Sequence, residues 1–205
     1  MTDSQYTPPW WAHNAHIQTI VPTFLSTPQP IYTRERWETP DDDFIDLDWV
    51  NRDKALNHNQ KIIVLFHGLE GSSQSPYARA LMHACACNGD SGVVVHWRSC
   101  SGELNRQPIF YHSGFSQEID WILRRLAKQY PHSQRHAAGV SLGGNALLKW
   151  LGEQGHSAHA IIQKAAAICP PQDLKAGSIA LASGFNQLVY MRHFLSTLKT
   201  KGLAK

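Results

Sequence analysis

The sequence predicts a mostly parallel, doubly wound α/β sheet, because short apolar segments alternate along the chain with segments of helical periodicity. Two of the apolar segments, residues 61–66 and 92–97, contain the runs Ile-Ile-Val-Leu-Phe and Val-Val-Val without a polar interruption. Such runs are typical of central strands that helices cover on both faces. The clearest helix is predicted at residues 116–130, where apolar side chains recur on one face and arginine and lysine lie elsewhere.

The predicted elements divide the chain into three segments. Residues 1–30 are rich in proline and aromatic residues, and we expect them to form an irregular arm that packs onto the body through its tryptophans, Trp10 and Trp11. Residues 31–169 carry the α/β core, and residues 170–205 are predicted to be largely helical. The predicted strands are 44–50, 61–66, 92–97, 135–140 and 160–168, and the predicted core helices are 77–87, 116–130 and 143–154.

The composition is that of one globular domain. The 205 residues are 42% hydrophobic and 17% charged, which excludes a disordered or fibrous chain. The net charge of +3 comes from scattered basic residues and gives no electrostatic basis for binding nucleic acid or an anionic membrane. The N-terminus lacks the features of a secretory leader, and no apolar run approaches the roughly 18 residues of a spanning helix. We therefore expect a soluble protein without a transmembrane segment.

Cysteine and histidine give no sign of a metal or other cofactor. The four cysteines lack metal-ligand spacing, which favours reduced, mostly buried thiols in a cytoplasmic protein; they are Cys85, Cys87, Cys100 and Cys169. Three histidine pairs have spacings that a helix could bring onto one face, namely 13 with 16, 132 with 136, and 156 with 159. None carries the glutamate of an H-E-x-x-H site, so we predict scattered surface histidines, no metal and no cofactor.

The segment Gly139-Val140-Ser141-Leu142-Gly143 has the G-x-S-x-G pattern of a nucleophile elbow. It lies between a predicted strand and a predicted helix, which is where this turn occurs. Glycines on both sides allow the backbone to fold sharply and lift the serine hydroxyl clear of the sheet. The pattern predicts a serine hydrolase with Ser141 as the nucleophile.

An elbow serine also needs an oxyanion hole, built from the backbone N–H after the nucleophile and a second N–H from an earlier strand-end loop. Leu142 supplies the first donor. The second is expected from His67-Gly68-Leu69-Glu70-Gly71, which directly follows the apolar strand ending at Phe66, and we assign it to Leu69.

Several blocks together resemble the YheT-type α/β-hydrolases, and the resemblance extends over almost the whole chain. The blocks are Trp11 with His16-Ile17-Gln18-Thr19-Ile20 and Pro22, Asp43 to Trp49, His67 to Gly71, Arg98 to Gly102, Tyr111 to Gly114, and the elbow extended to Glu153. The resemblance implies an α/β-hydrolase fold, Ser141 as nucleophile, Leu69 and Leu142 as oxyanion donors, and residues 170–205 as the start of a cap region. Ser99 and Asp42 stand where the family usually has glycine; we expect strain at Ser99 and a harmless change at Asp42.

The order of elements in this superfamily places the triad acid and histidine on strands beyond the nucleophile. Only one predicted strand follows Ser141, so we expect a C-terminally truncated chain in which the last strands, part of the cap, and the triad acid and base are missing. The final strand would then be an unpaired apolar edge, which predicts self-association.

Other candidates for proton transfer include Asp173, His193, His67 and His112. Asp173 and His193 have the right order for a triad, but Asp173 is expected to cap a helix and His193 to lie on a helix surface. His67 is expected to orient its own loop and, by the resemblance, His112 is structural.

Two functions remain from different classes. The first is hydrolysis of acyl or lipid-like carboxylic esters through an acyl-enzyme on Ser141. The second is a catalytically silent remnant or binding module that keeps the pocket without the base. Thioesterase or acyltransferase chemistry would use the same parts as the first.

Overall fold

Six strands form one mixed sheet in the computed structural model, which describes residues 7–205. The strand order is β1-β2-β4-β3-β5-β6, with β1 and β2 antiparallel, β2 and β4 antiparallel, and the remaining pairs parallel. The strands are β1 Thr33–Glu38, β2 Phe44–Val50, β3 Lys61–Phe66, β4 Ser91–Val95, β5 Gln134–Val140 and β6 Lys164–Ile168. The predicted mostly parallel sheet is confirmed.

Helices cover both faces of the central strands, which explains why β3 and β4 are apolar without alternation. The helices are α1 Ala15–Phe24, α2 Pro76–Cys87, α3 Ser116–Gln129, α4 Leu142–Gln154, α5 Leu174–Leu181, α6 Gly184–Asn186 and α7 Arg192–Leu203. A π-helical turn, Gln187–Met191, joins α6 to α7, and short 3-10 helices lie at Arg52–Leu56 and Gly155–Ala160. The larger core cluster includes side chains of α3 and α4, and the second includes side chains of α2.

The structure differs from the predicted elements mainly at the N-terminal end. Strand β1 was not predicted, because its sequence Thr-Arg-Glu-Arg-Trp-Glu is charged. Its Arg34 and Arg36 form bidentate pairs with Asp48 and Asp46 of β2, so charge pairing between the two strands stabilises β1 in addition to the buried Trp37. The last predicted strand begins at Lys164 rather than at residue 160, because Ala160 ends a 3-10 helix and residues 161–163 connect that helix to the strand.

The predicted arm contains a helix, and its tryptophans do not anchor it. Its first six residues lie outside the described part of the chain. The Asn14 side chain caps α1 by accepting the His16 amide hydrogen at 2.8 Å. Trp10 and Trp11 are 85% and 46% exposed, so the expected packing through them is wrong. The arm instead contacts the body through polar groups, including the carbonyl of Thr27, which accepts from the Arg79 guanidinium.

Strand β6 forms one edge of the sheet and is poorly covered. Four of its five residues are exposed, including Ile168, and β5 is its parallel neighbour. The helices that follow are also lightly packed, since α5, α6 and α7 contain no buried residue.

No helix in the described range 7–205 combines the length and hydropathy needed to cross a bilayer.

Candidate active site

Ser141 lies on a strained turn between β5 and α4. It immediately precedes the first residue of α4, and its backbone has φ 52° and ψ −117°. A residue with a side chain rarely adopts this conformation, and it persists only when the surrounding structure holds it. One such tie is the hydrogen bond that the Ser141 amide donates to the Ile168 carbonyl at 2.8 Å. The Ser141 hydroxyl is half-buried and has no hydrogen-bond partner within residues 7–205.

Glycines let α4 approach the backbone of the sheet. A Cβ on Gly139 would lie 2.5 Å from the Gly143 carbonyl oxygen. A Cβ on Gly143 would overlap the Phe66 carbonyl oxygen and lie 2.6 Å from that of His67. These obstacles are backbone atoms that cannot swing aside as a flexible side chain can. The glycines of the predicted elbow are therefore required by close approach between α4 and the ends of β3 and β5.

We expect Gly143→Ala to lower the free energy of unfolding by about 3 kcal/mol, because the added methyl must push α4 away from β3. Gly152→Ala is the matched control on the same helix, since no atom of residues 7–205 beyond its chain neighbours and the helix backbone lies within 4 Å of its Cβ position. The control should stabilise by about 0.5–1 kcal/mol through helix propensity. Urea unfolding of both variants measures the two values. Equal stability of the two variants would contradict the close approach.

The loop after β3, His67 to Gly71, lies directly beside the elbow. A Cβ on Gly68 would lie 3.3 Å from the Cβ of Ser141. This proximity follows from the topology, because β3 and β5 are parallel neighbours and their carboxyl ends meet at one edge of the sheet. The two segments that the sequence singled out are therefore adjacent.

Three amides of this loop donate to identified acceptors. Gly68 N–H donates to the Tyr77 hydroxyl at 3.0 Å, Glu70 N–H to the Tyr111 hydroxyl at 2.8 Å, and Gly71 N–H to the Gly68 carbonyl at 3.0 Å. In the part of the chain that the structure describes, the N–H groups of Leu69 and Leu142 have no acceptor. These are the two amides assigned from the sequence.

His67 and His112 are engaged in local hydrogen bonds. The Nδ1 of His67 donates to the Gly68 carbonyl at 2.8 Å, since its Nε2 accepts the Trp97 amide hydrogen at 3.2 Å. Burial lowers the pKa of His67 to about 3, so the ring stays neutral and orients its own loop as expected. The Nδ1 of His112 accepts the Gly114 amide hydrogen at 3.1 Å.

The alternative pair of Asp173 and His193 is not assembled. The Asp173 carboxylate caps α5 by accepting from the Ala176 amide at 2.8 Å, as predicted. His193 is exposed, and its ring contacts that of Phe194. No histidine among residues 7–205 is hydrogen-bonded to the Ser141 hydroxyl.

Both positions where the family usually has glycine are left-handed here. Asp42 has φ 60° and Ser99 has φ 64°, a region that favours glycine. At Ser99 the strain is offset by two hydrogen bonds, because its hydroxyl donates to the Asn105 side chain at 2.5 Å and accepts from the Asn105 amide at 3.1 Å. At Asp42 the side chain is exposed in a turn, consistent with the expectation.

Comparison with known proteins supports the resemblance. No protein-family model matches the chain. The chain is 39% identical over 94% of its length to the Escherichia coli (strain K12) protein named "Putative esterase YheT", and the match covers 56% of that protein. It is 30% identical over 73% of its length to human phospholipase ABHD3, covering 38% of it. The Xanthomonas campestris protein XC6422, described as an a/b serine hydrolase without a lid, aligns with a TM-score of 0.55 at 18% identity, over 72% of this chain and 64% of that one.

The sheet order, the flanking helices and these similarities define the class: the chain has the α/β-hydrolase fold. Its resemblance to the YheT-type proteins is confirmed over nearly its whole length. The chain spans about half the length of that relative and less of the phospholipase.

Proposed function

We propose that this chain carries the nucleophile and oxyanion hole of a serine hydrolase that cleaves carboxylic esters. Ser141 Oγ attacks the ester carbonyl carbon, and the N–H groups of Leu69 and Leu142 bind the oxygen as it becomes negative. The alcohol leaves with a proton, and an acyl group stays on Ser141 until water releases it as the acid. The observation that carries the proposal is the strained Ser141 turn beside two amides that have no acceptor among the described residues.

Acyl or lipid-like esters are the proposed substrate class. The similarity to a protein named as an esterase and to a phospholipase supports it. A thioester or an acyl acceptor other than water would use the same nucleophile and donors, so thioesterase and acyltransferase chemistry are separated from esterase activity by the assay rather than by geometry.

A catalytically silent or binding role for the 205-residue chain is the second candidate. The observation that favours it is the Ser141 hydroxyl without a histidine partner among the described residues. A serine hydroxyl is a poor nucleophile at neutral pH until a positioned base takes its proton. Sustained hydrolysis of a short-chain nitrophenyl ester by the pure chain would exclude this candidate.

Fluorophosphonate labelling tests the proposal. We expect the probe to modify Ser141, as located by peptide mass spectrometry, and added imidazole to increase the labelling rate by about tenfold by acting as an external base. Imidazole should not increase background labelling of exposed serines, for which Ser178 on α5 is the internal reference. A folded sample that shows no modification at Ser141, with or without imidazole, contradicts the nucleophile assignment.

We also propose a cytoplasmic location, which is supported by four cysteines that are all free. The expectation that these thiols are mostly buried is wrong, because only Cys85 is buried, whereas Cys87 and Cys169 are exposed.

Self-association through the exposed edge of β6 is a further part of the proposal. Unpaired backbone groups on an edge strand can pair with another chain, and a charged side chain there opposes such pairing. We expect the wild-type chain to form dimers or larger species, and Ala166→Lys on β6 to shift the population toward monomer in analytical ultracentrifugation. Ala84→Lys at an exposed position of α2 is the matched control. A monomeric wild-type chain, or an equal shift in both variants, contradicts the β6 contact.

A further inference from the structure

We propose that Tyr111 and Glu70 are positioning residues that orient the Leu69 amide toward the oxyanion. Lys201 on α7 stabilises this orientation through its ion pair with Glu70. The inference rests on the proposed function and adds to it a link between the C-terminal helix and the oxyanion hole. It concerns the Tyr-His-Ser-Gly block, to which the proposed chemistry assigns no role.

The peptide unit that carries the Leu69 N–H is held in place through its carbonyl group. The carbonyl of this unit is that of Gly68, and it accepts hydrogen bonds from Gly71 N–H at 3.0 Å and from His67 Nδ1 at 2.8 Å. A trans peptide is planar, and its N–H and C=O point in opposite directions. Two donors on the Gly68 carbonyl therefore direct the Leu69 N–H to the opposite side, away from both.

The next peptide unit is held by Tyr111. Its hydroxyl accepts the Glu70 amide hydrogen at 2.8 Å and donates to the Glu70 Oε1 at 2.7 Å, so one tyrosine grips the backbone and side chain of the same residue. Glu70 has φ 53°, which is unfavourable for a residue with a side chain. The Tyr111 contacts hold Glu70 in this conformation, and they prevent the Glu70 amide from competing with that of Leu69.

Tyr111 is itself rigidly placed. It is 6% exposed and stacks on Trp97, with ring centroids 6.0 Å apart and planes 4° from parallel. The Trp97 indole N–H donates to the His67 carbonyl at 2.8 Å. Trp97 therefore connects Tyr111 to His67 at the beginning of the loop, while the Tyr111 hydroxyl holds Glu70 further along it.

Lys201 neutralises the Glu70 carboxylate from the C-terminal helix. Its Nζ lies 2.8 Å from Oε2 and 2.9 Å from Oε1 of Glu70, whose side chain is only 5% exposed. A carboxylate this buried is costly without a cation. Burial pushes the pKa of Glu70 upward, but hydrogen bonds from Lys201 and Tyr111 hold it below its usual value, so the ionised form persists. Since α7 has no buried residue, polar contacts such as this ion pair connect the C-terminal segment to the body, as does the bond from Lys205 Nζ to the Asn105 carbonyl.

The arrangement makes the loop sensitive to α7. If α7 leaves, Glu70 keeps Tyr111 but loses its cation, and the buried carboxylate must move toward water or take up a proton. Either change weakens the hydrogen bonds of Tyr111 to Glu70, and the Leu69 N–H is then held less firmly in its orientation. Neither Glu70 nor Lys201 touches the reacting atoms in this scheme.

The test compares Tyr111→Phe, Lys201→Met and the double variant with the wild-type chain. Lys201→Arg is the conservative variant, and Lys199→Met on the exposed side of α7 is the matched control. Two readouts are taken: amide hydrogen exchange of a peptide that covers residues 67–71, and the initial rate of fluorophosphonate labelling at Ser141. Thermal unfolding is recorded to confirm that the global fold survives.

We expect faster exchange of the loop and about tenfold slower labelling in Tyr111→Phe and in Lys201→Met, a fraction of the loss seen when an oxyanion donor is removed. Lys201→Arg should restore the rate, and Lys199→Met should leave both readouts unchanged. The labelling rate of the double variant should fall about tenfold rather than a hundredfold, because both substitutions act through Glu70.

Wild-type labelling at Ser141 with unchanged exchange and rates in the variants overturns the positioning role and leaves the proposed function intact. Equal effects of Lys199→Met and Lys201→Met overturn the link to α7. Absence of labelling in every form, the wild type included, contradicts the proposed function instead.

Discussion

Replacing Ser141 by alanine is expected to abolish fluorophosphonate labelling of the elbow, with no residual rate at that position. The reason is chemical, because the probe forms its covalent bond with the serine oxygen, and alanine supplies no nucleophile. Folding should be nearly unaffected, with a change within about 0.5 kcal/mol, since the hydroxyl has no hydrogen-bond partner in the described chain. Intact-protein mass spectrometry of labelled samples measures the loss, and Ser178→Ala is the control with unchanged labelling.

Ser141→Gly separates strain from chemistry at the same position. Glycine adopts φ 52° without steric cost, so this variant should unfold with a free energy about 1 kcal/mol higher than that of Ser141→Ala. Both variants should be unlabelled. A glycine variant that is no more stable than the alanine variant would show that the elbow is not strained, whereas labelling that persists in either variant would place the nucleophile elsewhere.

Replacing Arg98 by methionine is expected to lower the free energy of unfolding by about 4 kcal/mol, because it leaves buried carboxylates without their cation. Arg98 is 7% exposed and bonds Glu118 at 2.8 Å, Asp43 at 3.0 Å and Asp41 at 2.6 Å. Arg124→Met is the matched control, because Arg124 is exposed and pairs with Asp120 on the surface of α3. This substitution should lower the free energy of unfolding by less than about 1 kcal/mol. Chemical denaturation at pH 8 measures both values.

The loss of unfolding free energy caused by Arg98→Met, called the deficit below, should become smaller as the pH falls. Burial raises the pKa of Glu118 to about 7 from its usual 4.5, although Arg98 opposes the rise. For an acid with a raised pKa in the folded state, the contribution to stability is present below the unfolded value and is lost as the pH rises through the folded one. Glu118 is protonated at pH 5 and needs no cation, so the deficit should be smaller there than at pH 8. A deficit independent of pH would show that the cost comes from lost packing rather than from an unpaired Glu118.

Most of the sheet could be predicted because its strands carry a local pattern. Strands β2 to β5 are apolar or contain β-branched residues, and their positions follow from that pattern alone. The charged strand β1 could not be found in this way, because it is stabilised by pairing Arg34 and Arg36 with aspartates on another strand. The exposure of Trp10 and Trp11 was missed for a related reason: an aromatic residue is buried only where the fold presents a surface to cover it.

The sequence by itself determined the α/β class, the place of the glycine-flanked serine after a strand, and the loop expected to lie beside it. These features follow from residues that are neighbours in the chain, where spacing and side-chain size limit the backbone. The tertiary structure decided which amides stay without an acceptor and which charges are buried together. Those properties depend on Tyr77, Tyr111 and Lys201, which are 9, 41 and 131 positions from their partners in the loop. Hydrogen bonds and ion pairs across such separations form only after the sheet has brought the segments into contact.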